Sequence, residues 1–122
     1  MEKLERDKCA VLSLVLKGKW YDMIAHGGKR EEYRDATKYW HTRFNNWDTR
    51  TTAERPPIVE FRRGYAPNAP RMAYWCMGLE TATGMRPYAY VDPSSDKPRH
   101  TSWGEPSTPH FFVELGGRVV LF

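Results

Sequence analysis

The sequence predicts a mainly β domain of the α+β class, with two short helices and its strands rolled into a small β-barrel. Short apolar or alternating runs recur between turn residues, the pattern of many short strands. Helical periodicity shows only in two short stretches, both in the N-terminal half. Strands then follow one another without the regular β–α alternation of a layered α/β sheet. A length of 122 residues favours one domain. We divide the chain into a charged N-terminal extension, residues 1–8, and a domain spanning residues 9–122.

The elements follow in order. Cys9 to Leu16 is apolar at almost every position, which predicts a central strand buried on both faces. Lys19 to His26 carries Trp20, Met23 and Ile24 at i, i+3 and i+4, a short helix with one apolar face. Gly27 and Gly28 supply its stop. Lys29 to Arg34 is a second strand. Asp35 or Thr37 then caps a helix with Trp40, Phe44 and Trp47 on one face. Asp48 to Pro57 reads as a loop, and Ile58 to Phe61 as a strand closed by Gly64 and the Pro67 and Pro70 turn. Arg71 to Leu79 alternates and predicts a longer strand. Thr81 to Pro109 holds five of the nine prolines and reads as a long loop with a short strand near Tyr88 to Val91. Phe111 to Leu115 and Arg118 to Phe122 flank Gly116-Gly117, which signals a two-residue hairpin.

Composition narrows the function classes. The formal net charge is +4, a mild excess that permits a polyanionic partner without requiring one. Five Trp, seven Tyr and five Phe exceed what a small core needs, so some rings are expected at the surface, to stack on bases or cover an interface. No apolar run reaches membrane-spanning length. The start of the chain has no apolar centre of a signal peptide, which points to the cytoplasm. Cys9 and Cys76 sit in apolar runs and read as buried thiols rather than a disulfide. His26, His41, His100 and His110 lack metal-ligand spacing, so no metal is expected. No phosphate-cradling glycine loop of the Walker type is present, and no cofactor is expected.

The segment Gly27-Gly28-Lys29-Arg30-Glu31-Glu32-Tyr33-Arg34 is the densest in chemistry. Glu32 and Arg34 are two apart and share a strand face. Lys29 is three from Glu32 and joins them only if the glycine turn redirects its backbone or a bulge intervenes. The plainer reading is a surface ion pair, which contributes about 0–1 kcal/mol. The functional reading is a small polar cleft. In it Glu32 accepts a proton or a base-edge hydrogen bond, and Arg34 holds a phosphate or carbonyl. Lys29, with its pKa lowered by Arg34 and partial burial, acts as a base. Arg62, Arg63 and Tyr65 follow a strand and are either a solvated strand end or phosphate contacts with a stacking ring. Trp103, in a polar loop, either plugs that loop onto the domain or offers a stacking platform. Trp20, Trp40, Trp47 and Trp75 read as mainly core.

These residues also carry a resemblance. Gly27-x-Lys29-x-x-Glu32-x-Arg34 matches the G-x-K-x-x-E-x-R signature of the ASCH domains, whose fold is a β-barrel related to the PUA domain. Trp20-Tyr21-Asp22-Met23-Ile24, Tyr39-Trp40, Val59 to Tyr65 and His110 to Gly116 resemble the family's surrounding elements, so the likeness runs from about residue 10 to residue 118. The resemblance implies a PUA-like barrel that binds RNA or nucleotides in a cleft beside the signature. Some members hydrolyse acetylated cytidine with a Lys, a Thr and a Glu, and others resemble ribonucleases. Lys29 matches the catalytic Lys by position. Glu32 stands where those hydrolases have the Thr, which removes the expected hydroxyl nucleophile. Glu80 and Glu105 are both candidates for the later Glu.

The expected function is therefore an RNA- or nucleotide-binding module with Lys29, Glu32 and Arg34 at its floor, and Arg62, Tyr65 and Trp103 around it. The alternative is a hydrolase acting on a modified nucleoside or on RNA, with Lys29 and Glu32 activating water. A protein-interaction domain using exposed aromatics is a third reading. Sequence leaves the oligomeric state open.

Overall fold

The computed structural model describes residues 1–35, 37–81 and 110–122, with the side chains of residues 80, 81 and 110 outside the description. Among the described residues, six strands and two α-helices make an α+β fold. The strands are β1 (Glu2–Leu4), β2 (Ala10–Leu16), β3 (Glu31–Asp35), β4 (Pro57–Arg63), β5 (Arg71–Thr81) and β6 (His110–Leu121). The helices are α1 (Gly18–Ala25) and α2 (Lys38–Arg50), and a 3-10 turn covers Arg6–Lys8. The long-loop and short-strand readings between residues 82 and 109 lie outside the described residues.

The strands form one sheet in the order β1-β6-β5-β4-β2, with β3 also paired to β6. One edge of β6 runs along β5. Its other edge is shared, antiparallel to β3 over residues 110–114 and parallel to β1 over residues 119–121. Residues 2–4 of the charged N-terminal segment are therefore part of the sheet. The Arg6 guanidinium anchors this segment further, bonding both oxygens of the buried Glu60 carboxylate at 2.9 and 2.5 Å.

Two expectations need correction. The first is the hairpin at Gly116-Gly117, which is uninterrupted strand within β6. Neither glycine has positive φ; among the described residues only Gly27 and Gly64 do. The glycines serve packing and a bulge instead. A Cβ on Gly116 would lie 2.5 Å from Met77 Cγ and 3.2 Å from Trp75 Cβ. The register passes from Tyr74↔Arg118 to Cys76↔Leu115, so Trp75 alone opposes both glycines. This extra residue changes which face β6 presents. Phe111, Val113 and Leu115 enter the main core, whereas Val119 packs with Cys9, Ile58 and Ala73 on the opposite face.

The second correction concerns β2 and the barrel. Among the described residues β2 pairs only with β4, in parallel, and stands at the end of the sheet rather than its centre. Among the described residues no backbone ladder joins β2 to β3, so the sheet is not closed into a barrel. The seam is bridged by a side chain: Arg34 on β3 donates from Nη2 to the Val15 carbonyl on β2 at 3.0 Å. The free edge of β2 is covered by α2, whose Arg43 and Arg50 donate to the Ser13 and Val11 carbonyls at 2.9 and 3.2 Å. Cover of this kind protects an edge from pairing with another chain. It also lets β2 be apolar without being central.

The main core lies between the sheet and the helices, with Leu12, Leu14, Phe61 and Phe111 against Ile24, Phe44 and Trp47. α2 starts where Thr37 accepts the Trp40 N–H at 3.3 Å, an N-cap of the predicted kind. Cys9 and Cys76 are buried free thiols. Burial pushes the Cys76 thiol up to about 12. No helix of the described residues is long and apolar enough to cross a membrane.

Candidate functional site

The site begins at the end of α1. Gly27 has φ +78°, and the Gly27 and Gly28 N–H groups close back on Ile24 and Met23 carbonyls at 3.1 and 2.9 Å. This is a Schellman stop, which needs the left-handed residue that glycine supplies. Lys29 N–H donates to the same Met23 carbonyl at 3.1 Å, so the chain leaves the helix tightly. The Arg30 carbonyl accepts from Leu115 at 2.9 Å and lays β3 onto β6.

Register then sets the direction of the next side chains. Glu32 pairs with Val113 and Arg34 with Phe111, both members of the main core. Residues opposite each other in a ladder share a face, so Glu32 and Arg34 point inward, where apolar residues would be expected. Lys29 precedes the strand and reaches back to them. Its ammonium donates to Glu32 Oε1 at 3.1 Å and to the Glu31 carbonyl. Side-chain exposure is 3% for Lys29, 7% for Glu32 and 20% for Arg34, so this is a buried cluster and not a surface pair. The glycine turn has redirected Lys29 as the sequence required.

The carboxylate is unevenly served. Oε1 accepts from Lys29 and from the Tyr33 N–H at 2.9 Å. Oε2 lies 3.6 Å from Arg34 Nη2, within ion-pair range, and has no hydrogen bond among the described residues. Arg34 Nε is likewise buried without an acceptor among them. Burial holds the Lys29 ammonium below the usual lysine range; Glu32 opposes that shift, and Arg34 adds to it as a lesser cause. The expectation named Arg34 first, whereas desolvation leads.

Above these groups is an open pocket of about 630 Å³. Trp20 from α1 and Tyr33 from β3 wall it, and their rings lie 5.9 and 5.4 Å from Lys29 Nζ. Tyr33 donates its hydroxyl to Glu31 Oε2 at 2.5 Å, and burial together with that bond raises its pKa. Val15, Leu16 and Lys17 at the end of β2 form another wall, and Gly64 and Tyr65 complete the rim. Tyr65 is 84% exposed.

The other sequence candidates fall as follows. Arg62 is not a pocket wall; its guanidinium braces the next turn through the Tyr65 and Ala66 carbonyls at 3.3 and 2.5 Å. Arg63 binds both Asp22 oxygens at 3.1 Å and ties α1 to the end of β4. Trp103 and Glu105 lie outside the described residues, as does the side chain of Glu80. Trp47 is core as expected, whereas Trp20 is a half-buried pocket wall. Its i, i+3, i+4 spacing with Met23 and Ile24 could not separate those two roles. Among the described residues, no three His, Cys, Asp or Glu side chains gather to hold a metal ion.

Comparison with known proteins finds no family model, no curated protein and no solved structure that matches this chain.

Proposed function

We propose that this domain is an ASCH-like module that binds RNA or a nucleotide in the pocket over Lys29, Glu32 and Arg34. The observation that carries this reading is Glu32 Oε2, a buried carboxylate oxygen without a hydrogen bond among the described residues. Leaving such a group unmet costs about 1–3 kcal/mol, a cost that a ligand donor relieves. Arg34 Nε, a buried donor without an acceptor among the described residues, lies on the same strand face. An acceptor beside a donor suits the edge of a nucleobase, which carries N–H and C=O groups side by side. Trp20 and Tyr65 supply ring faces for stacking. With Lys29 protonated the cluster carries a net positive charge, which favours an anionic nucleotide over a neutral nucleoside.

Titration with mononucleotides, followed by NMR, tests the reading. The expected result is saturable shifts concentrated at the Trp20 indole and at residues 29–34. Shifts scattered elsewhere, or none with any nucleotide, would remove it.

A second reading, hydrolysis of a modified nucleoside or of RNA, is favoured by one observation. Burial loosens the Lys29 proton beside a carboxylate 3.1 Å away. Lys29 and Glu32 would activate water, with Arg34 stabilising the developing oxyanion. No Ser, Thr or Cys lines the pocket among the described residues, so no aliphatic hydroxyl or thiol replaces the Thr that Glu32 displaces. Turnover of acetylcytidine, read by absorbance and abolished in Lys29→Ala, is what this reading requires; its absence leaves binding alone.

A further inference from the structure

The outer edge of β2 carries three arginines in a row. Its outward carbonyls at Val11, Ser13 and Val15 accept from Arg50 at 3.2 Å, Arg43 at 2.9 Å and Arg34 at 3.0 Å. These carbonyls are every second residue of one strand. The guanidinium groups are therefore spaced by roughly 6.6 Å, about the rise of two strand residues. That separation is of the same order as the one between successive phosphates of an extended single strand. Each guanidinium has five N–H donors, so the bond to β2 leaves others to spend. Arg43 and Arg50 line a shallow trough of about 500 Å³ with Asn46 and Thr49. Arg34, at the other end of the row, lines the pocket already described.

Protection of a sheet edge explains one bond per arginine. It does not explain the ring beside them. Tyr39 is 61% exposed, stands edge-on to Trp40 with centroids 5.0 Å apart, and lies 5.9 Å from the Arg43 guanidinium. Trp40 in turn lies 5.1 Å from Arg34 and 5.3 Å from Arg43. Cations alternating with aromatic rings are the surface that single-stranded nucleic acid uses, with phosphates on the charges and bases on the rings. The single acidic residue of α2, Asp48, projects about 140° around the helix from Arg43 and leaves this side basic.

We infer that Arg34, Arg43 and Arg50 form a track for the sugar–phosphate backbone of single-stranded RNA, leading away from the pocket along β2, with Tyr39 stacking a base beside it. This rests on the pocket reading in one respect: the nucleotide at the head of the track is the one the pocket holds. The partner is then a polymer rather than a free nucleotide.

The test compares a mononucleotide with single-stranded RNA of about four nucleotides, long enough to pass three guanidinium groups. Affinity and its salt dependence are measured for wild type, Arg43→Gln/Arg50→Gln and Tyr39→Ala. Gln is shorter than Arg and gives up the bonds to the β2 carbonyls, but α2 stays packed through Phe44 and Trp47 and Tyr39 is exposed, so both variants are expected to fold. In wild type the oligonucleotide binds at least about tenfold more tightly, and its salt slope is steeper by about 0.7 for each added phosphate contact. Both variants lose that gain and keep the mononucleotide affinity. Affinity independent of chain length, or an oligonucleotide bound equally well by the arginine variant, overturns the track while the pocket reading stands. Arginine-dependent oligonucleotide binding without any mononucleotide binding keeps the track and removes the pocket reading.

Discussion

Lys29 and Glu32 form a 3.1 Å ion pair in which the ammonium side chain is 3% and the carboxylate 7% exposed. Two such charges lose hydration on folding and recover it only from each other and their hydrogen bonds. The pair exists because a left-handed glycine ends α1 and turns Lys29 back over the first residues of β3.

Breaking this pair from one side strands a buried charge. Lys29→Met and Glu32→Gln are each expected to lower unfolding free energy by about 3 kcal/mol. The double variant strands neither partner and should lose less than the sum, by about 1–3 kcal/mol. Urea unfolding of the four proteins measures this. Additive losses would mean that the two groups do not act as a pair.

The lowered Lys29 pKa makes stability depend on pH with a definite sign. In the folded protein Lys29 releases its proton below 10.5, the value of an unburied lysine. Between the folded value and 10.5 the unfolded chain binds more protons, so stability rises with pH across that window. It is lost again as pH falls through the folded value. Wild type should therefore gain stability relative to Lys29→Met as pH is raised from neutral towards 10.5, read as a shift in urea midpoint. A gap that is flat over this range would show that Lys29 is solvated.

The adjacent glycines before the site should respond differently to alanine. Gly27 sits at φ +78°, so Gly27→Ala is expected to cost about 1–2 kcal/mol. Gly28 does not have positive φ, and an added Cβ would meet Met23 O at an ordinary 3.7 Å. Gly28→Ala should therefore change stability by less than about 0.5 kcal/mol. Thermal unfolding of the two variants checks the contrast.

The local signals in the sequence were sufficient where a single physical cause governs a residue. Thr37 before Trp40, Phe44 and Trp47 marks α2 because capping and 3.6-residue periodicity agree there. Gly27 marks the end of α1 because only glycine takes that φ cheaply. Glu32 and Arg34 share a face because strand geometry leaves no other choice. Reading failed where one residue type serves two purposes. Gly116 and Gly117 spell a hairpin locally, but Gly116 makes room for Met77 on a neighbouring strand and the pair opposes Trp75 in a bulge, contacts no local pattern contains. The apolar run of β2 spells a central strand, yet its outer edge is covered by arginine side chains from β3 and α2. Trp20 looks like core by spacing and becomes a wall only once Lys29 and Tyr33 are placed beside it. The basic row along β2 was invisible because Arg34, Arg43 and Arg50 converge only through the register of β2.

The buried oxygen of Glu32 is what the functional reading stands on. A crystal structure of the protein soaked with a mononucleotide examines that oxygen itself. The account predicts a ligand N–H within hydrogen-bond distance of Glu32 Oε2, with Arg34 on the neighbouring acceptor and the base against Trp20 or Tyr65. A nucleotide bound elsewhere, with Glu32 Oε2 hydrogen-bonded to another residue of the chain, would contradict it.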